Sequence, residues 1–232
     1  MKIVRRLKNI CNNLLLNIWS SNNSTVSVSN KVPFISQFAN PEYAEEVLKN
    51  GKEAVTDPSW PQTGANTAEE YATWSTTMCG MACTAMALHY YYGASKPIVE
   101  LARDALENGV YAEGVELSAM KYQEYVQWIK KYNVKASIYT KLSLAGIKYL
   151  LAEGELVVVS VNPNIRGYNT APEVQKGGHL VLVTGYDSDN RTLTINNPSG
   201  FVSLSSHHHH VLSEEVFKKY FAGRGLSLNK QK

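Results

Sequence analysis

A Cys-Gly step opens an apolar, Ala-rich helical run, Met78-Cys79-Gly80-Met81-Ala82-Cys83-Thr84-Ala85-Met86-Ala87-Leu88, and this run constrains the chain more than any other stretch. Far downstream, Gly177-Gly178-His179 opens an apolar strand, and the next strand ends in Asn196-Asn197-Pro198. A thiol at a helix start, followed by a His and then an Asn, is the residue set of nucleophilic cysteine chemistry. The helix's unpaired N–H groups and dipole favour the thiolate. An imidazole can then take the thiol proton, and an amide can orient the ring. Cys79 is therefore the expected nucleophile and His179 the expected base. Cys83 lies one turn deeper, where the dipole advantage has faded, and reads as a core residue beside Ala82 and Met86.

Composition narrows the function classes. A chain of 232 residues, 44% hydrophobic and 19% charged, suits one soluble domain with a full core. A formal charge of +3, without a basic stripe interleaved with aromatics, excludes a nucleic-acid partner. No apolar run is long enough for a transmembrane segment. Cys11, Cys79 and Cys83 do not form a disulfide framework, so a reducing, cytoplasmic setting is expected. Neither a cofactor nor a metal is expected. The run His207-His208-His209-His210 alternates in direction and lacks the Cys or carboxylate pair that would complete a tetrahedral set, so it reads as a mobile, solvated loop.

Residues 1–19 carry an apolar stripe at helical spacing (Ile3, Val4, Leu7, Ile10, Cys11, Leu14, Leu15, Ile18) with basic residues near the start. That amphipathic helix is expected to dock on its own domain, on a partner or on a membrane surface. Residues 20–30 read as a polar linker, which makes 1–30 an appendage and 31–232 the body. In the body, helices are expected at residues 41–50, 79–92, 97–107 and 116–132, after Ser143, and after Ser213. Strands are expected at 134–139, 156–161, 179–186, 191–197, 201–204 and 226–228. Residues 52–72, bearing Trp60, form a surface excursion placed to wall a cleft and shield it from water. Helices first and antiparallel strands later predict an α+β fold, with the nucleophile helix in a helical layer packed on a C-terminal antiparallel sheet.

Two asparagines compete to orient His179. A hairpin turn of two or four residues puts Asn196 on the His179 face, whereas a three-residue turn puts Asn197 there. Gln37, in an extended segment, is the candidate side-chain donor that would join the Cys79 N–H in an oxyanion hole.

Four motifs in this order, Val32-Pro33-Phe34-Ile35-Ser36-Gln37, Cys79-Gly80-Met81-Ala82-Cys83, Gly178-His179-Leu180-Val181-Leu182-Val183 and Asn197-Pro198-Ser199-Gly200, resemble the bacterial double-glycine leader peptidases and their stand-alone relatives. These are papain-like cysteine peptidases, and the resemblance covers about residues 32–228. It implies Gln37 as the oxyanion glutamine, Cys79 as nucleophile, His179 as base, and the residue before the proline, Asn197, as the orienter. Two features depart from the pattern: more than forty residues separate Gln37 from Cys79, and Asn stands where exporter-linked members often carry Asp.

The expected function is acyl transfer through a thioester acyl-enzyme, with hydrolysis of a peptide or amide bond leading. One alternative is a papain-like acyltransferase that passes the acyl group to an amine in bacterial natural-product biosynthesis, with a peptide, amide or carrier-protein-bound thioester as substrate. Another is an inactive papain-like binding module, and a third is a metal-dependent hydrolase built on the histidine run.

Overall fold

The computed structural model describes residues 25–112, 119–167 and 177–231. The expected helix at 1–19 lies outside these residues.

Among the described residues, seven α-helices and a seven-stranded antiparallel sheet make an α+β fold. In chain order they are β1 (Val26–Ser27), α1 (Tyr43–Leu48), α2 (Ala68–Ser75), α3 (Cys79–Tyr92), α4 (Ile98–Glu107), α5 (Tyr122–Trp128), β2 (Val134–Tyr139), α6 (Leu144–Ala152), β3 (Leu156–Val161), β4 (His179–Asp187), β5 (Thr192–Asn196), β6 (His210–Ser213), α7 (Glu214–Tyr220) and β7 (Phe221–Lys230). The sheet runs β2-β7-β3-β4-β5-β6, and β1 pairs with the far half of β4. Among the described residues no helix is long and apolar enough to cross a membrane.

Helix α3 is buried along Gly80 to Leu88 because it is apolar around its whole circumference. Gly93, at φ +77°, ends it in the left-handed conformation and donates its N–H to the His89 carbonyl at 2.8 Å. The helix packs with α2, α4 and α5 against one sheet face, through Val158, Leu180, Leu182 and Leu226. The opposite face, Val157, Val159, Val181 and Val183, is covered by α6 and α7 through Ile147, Leu151 and Phe217. Strand β3 is therefore buried on both faces, which explains its unbroken apolar run Leu156-Val157-Val158-Val159.

Several elements differ from the sequence expectation. The segment read as a linker ends in β1, whose Val26 and Ser27 pair with Tyr186 and Gly185. The helix expected over 116–132 is a shorter α5 followed by a 3-10 turn, Ile129–Tyr132; residues 113–118 lie outside the described set. The strand expected at 201–204 is a 3-10 turn, Val202–Leu204, because Leu204 and Ser206 bond locally back to the Phe201 carbonyl. Strand β7 is far longer than 226–228 and lies inside the sheet. Gly223-Arg224-Gly225 hides it by breaking the apolar pattern, and Gly225 is required where β7 meets β3: a Cβ there would come 2.3 Å from the Val158 carbonyl oxygen.

Candidate active site

Helix α2 ends at Ser75, and after three intervening residues Cys79 begins α3, so the thiol sits in the first turn of the buried helix. On the other side, His179 is the first residue of β4 and Asn197 directly follows β5. Cys79 and His179 line one cleft of about 500 Å³, whose walls include Thr77, Met120, Tyr122 and Ser160. Gly80 also lines the cleft and admits Met120, since a Cβ there would lie 2.6 Å from the Met120 sulfur.

The register explains which asparagine meets the histidine. A four-residue turn pairs Asp187 with Thr192, which taken alone would put Asn196 on the His179 face. The register then shifts between Val183 and Gly185, so that Leu182 pairs with Asn196 and Asn197 falls on the His179 face. His179 Nε2 lies 2.8 Å from Asn197 Oδ1. The same oxygen accepts the Ser199 N–H at 3.3 Å, which fixes the amide orientation. Nε2 is therefore the protonated nitrogen, and Nδ1 is left as the acceptor. Asn196, fully buried, instead accepts the His209 N–H on its Oδ1 at 3.1 Å.

Gln37 is fully buried and ties the site's two halves together. Its N–H donates to the Pro198 carbonyl at 2.8 Å, and its Nε2 donates to the Ser75 carbonyl at 2.7 Å. It thus spans from the Asn197 turn to the end of α2, behind the cleft wall rather than among the lining residues. Cys83 is buried in the core with its sulfur 3.8 Å from the Leu180 carbonyl oxygen.

The electrostatics differ from a preformed ion pair. Burial pushes the Cys79 thiol up, and the Leu180 N–H, Arg166 and the N–H groups of the helix start offset only part of that rise. Burial also holds the His179 imidazole well below its ordinary value, with the Arg166 charge acting in the same direction. The helix start is present as expected, but desolvation acts against it, and both shifts favour the neutral thiol and the neutral imidazole.

Two residues absent from the sequence expectation join the site. Arg166, closing the 3-10 turn Pro163–Arg166 after β3, lines the cleft and donates from Nε to Ser199 Oγ at 2.6 Å. That hydroxyl lies 3.2 Å from His179 Nε2. Asn162-Pro163 marks the turn in the sequence, but nothing local aims an arginine at a histidine thirteen residues away across the β3–β4 connection.

The histidine run is an ordered buttress, not a mobile loop. The His207 carbonyl accepts the Asn197 N–H at 2.7 Å, and the His209 ring donates to the Ser29 carbonyl at 2.7 Å. Phe34 packs edge-on against His207, and His210 enters β6. His209, at φ +47°, supplies the bend that lets the chain join the sheet. Among the described residues no group of three or more metal-binding side chains converges. The 52–72 excursion contributes nothing to the cleft lining. Buried Asp57 holds it down by accepting the Tyr71 hydroxyl at 2.8 Å and the Asn40 N–H at 3.0 Å.

Comparison with known families agrees with this arrangement. The model of the Peptidase_C39 like family matches residues 29–225. The chain belongs to that family. A Bacillus anthracis protein described as a C39-like peptidase superposes with a TM-score of 0.53 at 18% identity, covering 90% of this chain and all of that one. The peptidase domain of Streptococcus ComA, a bi-functional ABC transporter involved in a quorum-sensing pathway, is also similar, with a TM-score of 0.46 at 18% identity over 67% of this chain and 93% of that domain. No curated protein matches the chain. The Peptidase_C39 like family is thus represented here by an α+β body with its Cys and His on one cleft.

Proposed function

We propose that the chain is a thiol peptidase that cleaves a peptide or amide bond through a thioester acyl-enzyme. The supporting observation is the 2.8 Å contact between His179 Nε2 and Asn197 Oδ1 on the cleft that also holds Cys79. With Nε2–H committed to Asn197, Nδ1 is the nitrogen that takes the Cys79 proton as sulfur attacks the carbonyl. The Cys79 N–H stabilises the oxyanion, and Gln37 joins it as second donor only if its remaining Nε2 hydrogen turns from behind the wall into the cleft. The imidazolium then protonates the leaving amine, and water, deprotonated by His179, releases the acid and regenerates the thiol.

Neutral resting partners suit this order of events, because the proton moves only as the substrate displaces water from the cleft. Cys79 and Cys83, unpaired and one turn apart, support a reducing, cytoplasmic setting. Residues 1–19 carry the docking role in this reading, toward a partner or a membrane surface.

The test is a digest of a defined peptide mixture read by mass spectrometry, with glycine amide added in half the samples. We expect products with free carboxyl termini in both halves and none from Cys79→Ala. Cleavage that survives Cys79→Ala would overturn the thiol reading. Amide products in place of acids would turn the assignment to an amine-accepting acyltransferase.

A further inference from the structure

Among the described residues the cleft wall carries two guanidinium groups and no carboxylate. Arg166 and Arg224 both line it, and no Asp or Glu does so among the described residues. Arg166 spends its Nε–H on Ser199, and its two terminal amino groups bond to no described residue. Among the described residues neither arginine has an ion-pair partner, whereas Arg103 and Arg191 each meet a glutamate. Burial lowers Arg166 to a pKa of about 10, which leaves it cationic at neutral pH. A partly buried guanidinium with its fork open to a cleft is a costly arrangement unless an anion completes it.

The backbone is adapted to the second arginine. Gly177, at φ +105°, leaves room for Arg224: a Cβ on it would sit 2.4 Å from the Arg224 Nη2 and 3.2 Å from Ser160 Oγ. Gly177, two residues before His179, therefore makes room for a cation on the cleft wall. Arg166 is close enough to act electrostatically on the Cys79 thiol. Arg166 thus lies beside the reacting atoms, and Arg224 lines the same cleft.

We propose that Arg166 and Arg224 form a carboxylate-binding subsite, so that the enzyme selects acyl substrates carrying a carboxylate next to the scissile carbonyl. The inference rests on the thiol-peptidase reading and names its substrate class. The carboxylate comes either from an acidic side chain or from a nearby free C-terminus, and both sources offer the fork the same two oxygens.

The experiment uses full-length Cys79→Ala protein and three N-acetylated tripeptides on an alanine frame. One has a central Glu and an amidated end, one has a free terminal carboxylate, and one has a central Gln and an amidated end. We expect calorimetry to show at least one acidic peptide binding about tenfold or more tighter than the neutral one, and the favoured peptide identifies the source. Adding Arg166→Gln or Arg224→Gln should collapse that preference. If Arg166→Gln does not fold, Arg166→Lys keeps the charge without the fork and should lose most of it. Equal binding of all three peptides, or a preference that survives both arginine changes, overturns the proposal. Cleavage that persists without charge preference would sink this subsite alone. A charge preference in a protein whose cleavage is insensitive to Cys79→Ala would sink the thiol reading and leave the subsite standing.

Discussion

Asn197 Oδ1 accepts from both His179 Nε2, at 2.8 Å, and the Ser199 backbone N–H, at 3.3 Å, so the amide that orients the imidazole is itself held by the turn it starts. The Asn197 N–H is anchored in turn to the His207 carbonyl, and the Pro198 carbonyl to the Gln37 N–H. The histidine's tautomer is therefore set by a chain of contacts that reaches the His207 and Gln37 segments.

Replacing that amide should separate chemistry from stability. Asn197→Ala is expected to lower kcat on the order of 10²-fold with the fold retained, and Asn197→Asp to retain more activity than Ala. Asn196→Ala removes the acceptor of the His209 N–H and should cost about 1–3 kcal/mol of stability. Per folded molecule its kcat should stay near wild type. Paired kinetics and denaturant titrations distinguish the two, and the reverse pattern would transfer the orienting role to Asn196.

Stability should fall in acid in two windows. His179 is held well below 6.5 by burial, and His210 is pushed down to about 4 by burial. Both stay neutral in the native state where the unfolded chain is protonated. The unfolded state then binds more protons, and stability drops as pH falls below about 6.5. For Glu214 burial raises the pKa, but hydrogen bonds from Lys148 and Arg191 outweigh it and bring the value to about 2. Its contribution is present above 4.5 and is lost as pH falls toward 2. Thermal melts from pH 8 to 3 should show a midpoint that declines from near pH 6.5 downward, and a flat profile to pH 5 would contradict the assignment.

Arg166 should be visible in the pH profile. Its charge disfavours the His179 imidazolium, so Arg166→Gln is expected to raise the histidine's pKa and move the acid limb of kcat/KM to higher pH. A neutral substrate isolates this effect from anion binding. An unmoved limb would mean that Arg166 acts on His179 only through Ser199 geometry.

Much of the fold was legible because its signals are local. Gly93 ends α3 as its position suggests, and Ser143 and Ser213 cap α6 and α7 through side-chain oxygens that accept the N–H groups of Gly146 and Val216. What escaped depends on tertiary pairing. The β4 register shift that selects Asn197, the interior placement of the glycine-broken β7, and the buttress made by His207 and His209 each rest on a distant strand or turn. At the site, the Cys and His were readable from their place at element starts. Arg166 and Ser199 were not, because the β3–β4 connection and the turn after β5 bring them to the histidine only in the folded sheet.

Truncation should locate the body's edge. Removing residues 1–24 leaves β1 in place and is expected to preserve turnover of a small amide probe within about twofold. Removing 1–30 also deletes β1 and the Val28 N–H bond to the Thr184 carbonyl, at 2.9 Å, and should lower the melting temperature. Equal stability of the two truncations would show that β1 contributes nothing to the sheet.

The most direct test of the central claim is stoichiometric alkylation of the full chain by iodoacetamide at pH 7.5, with peptide hydrolysis and the site of labelling followed together by mass spectrometry. The account predicts that activity falls to zero in proportion to labelling of Cys79, whatever the labelling of Cys11, while Cys83, buried and with its thiol pushed well above the ordinary range by burial, stays unmodified. Turnover that persists in fully Cys79-labelled protein, or that disappears in step with labelling of Cys83, would contradict it.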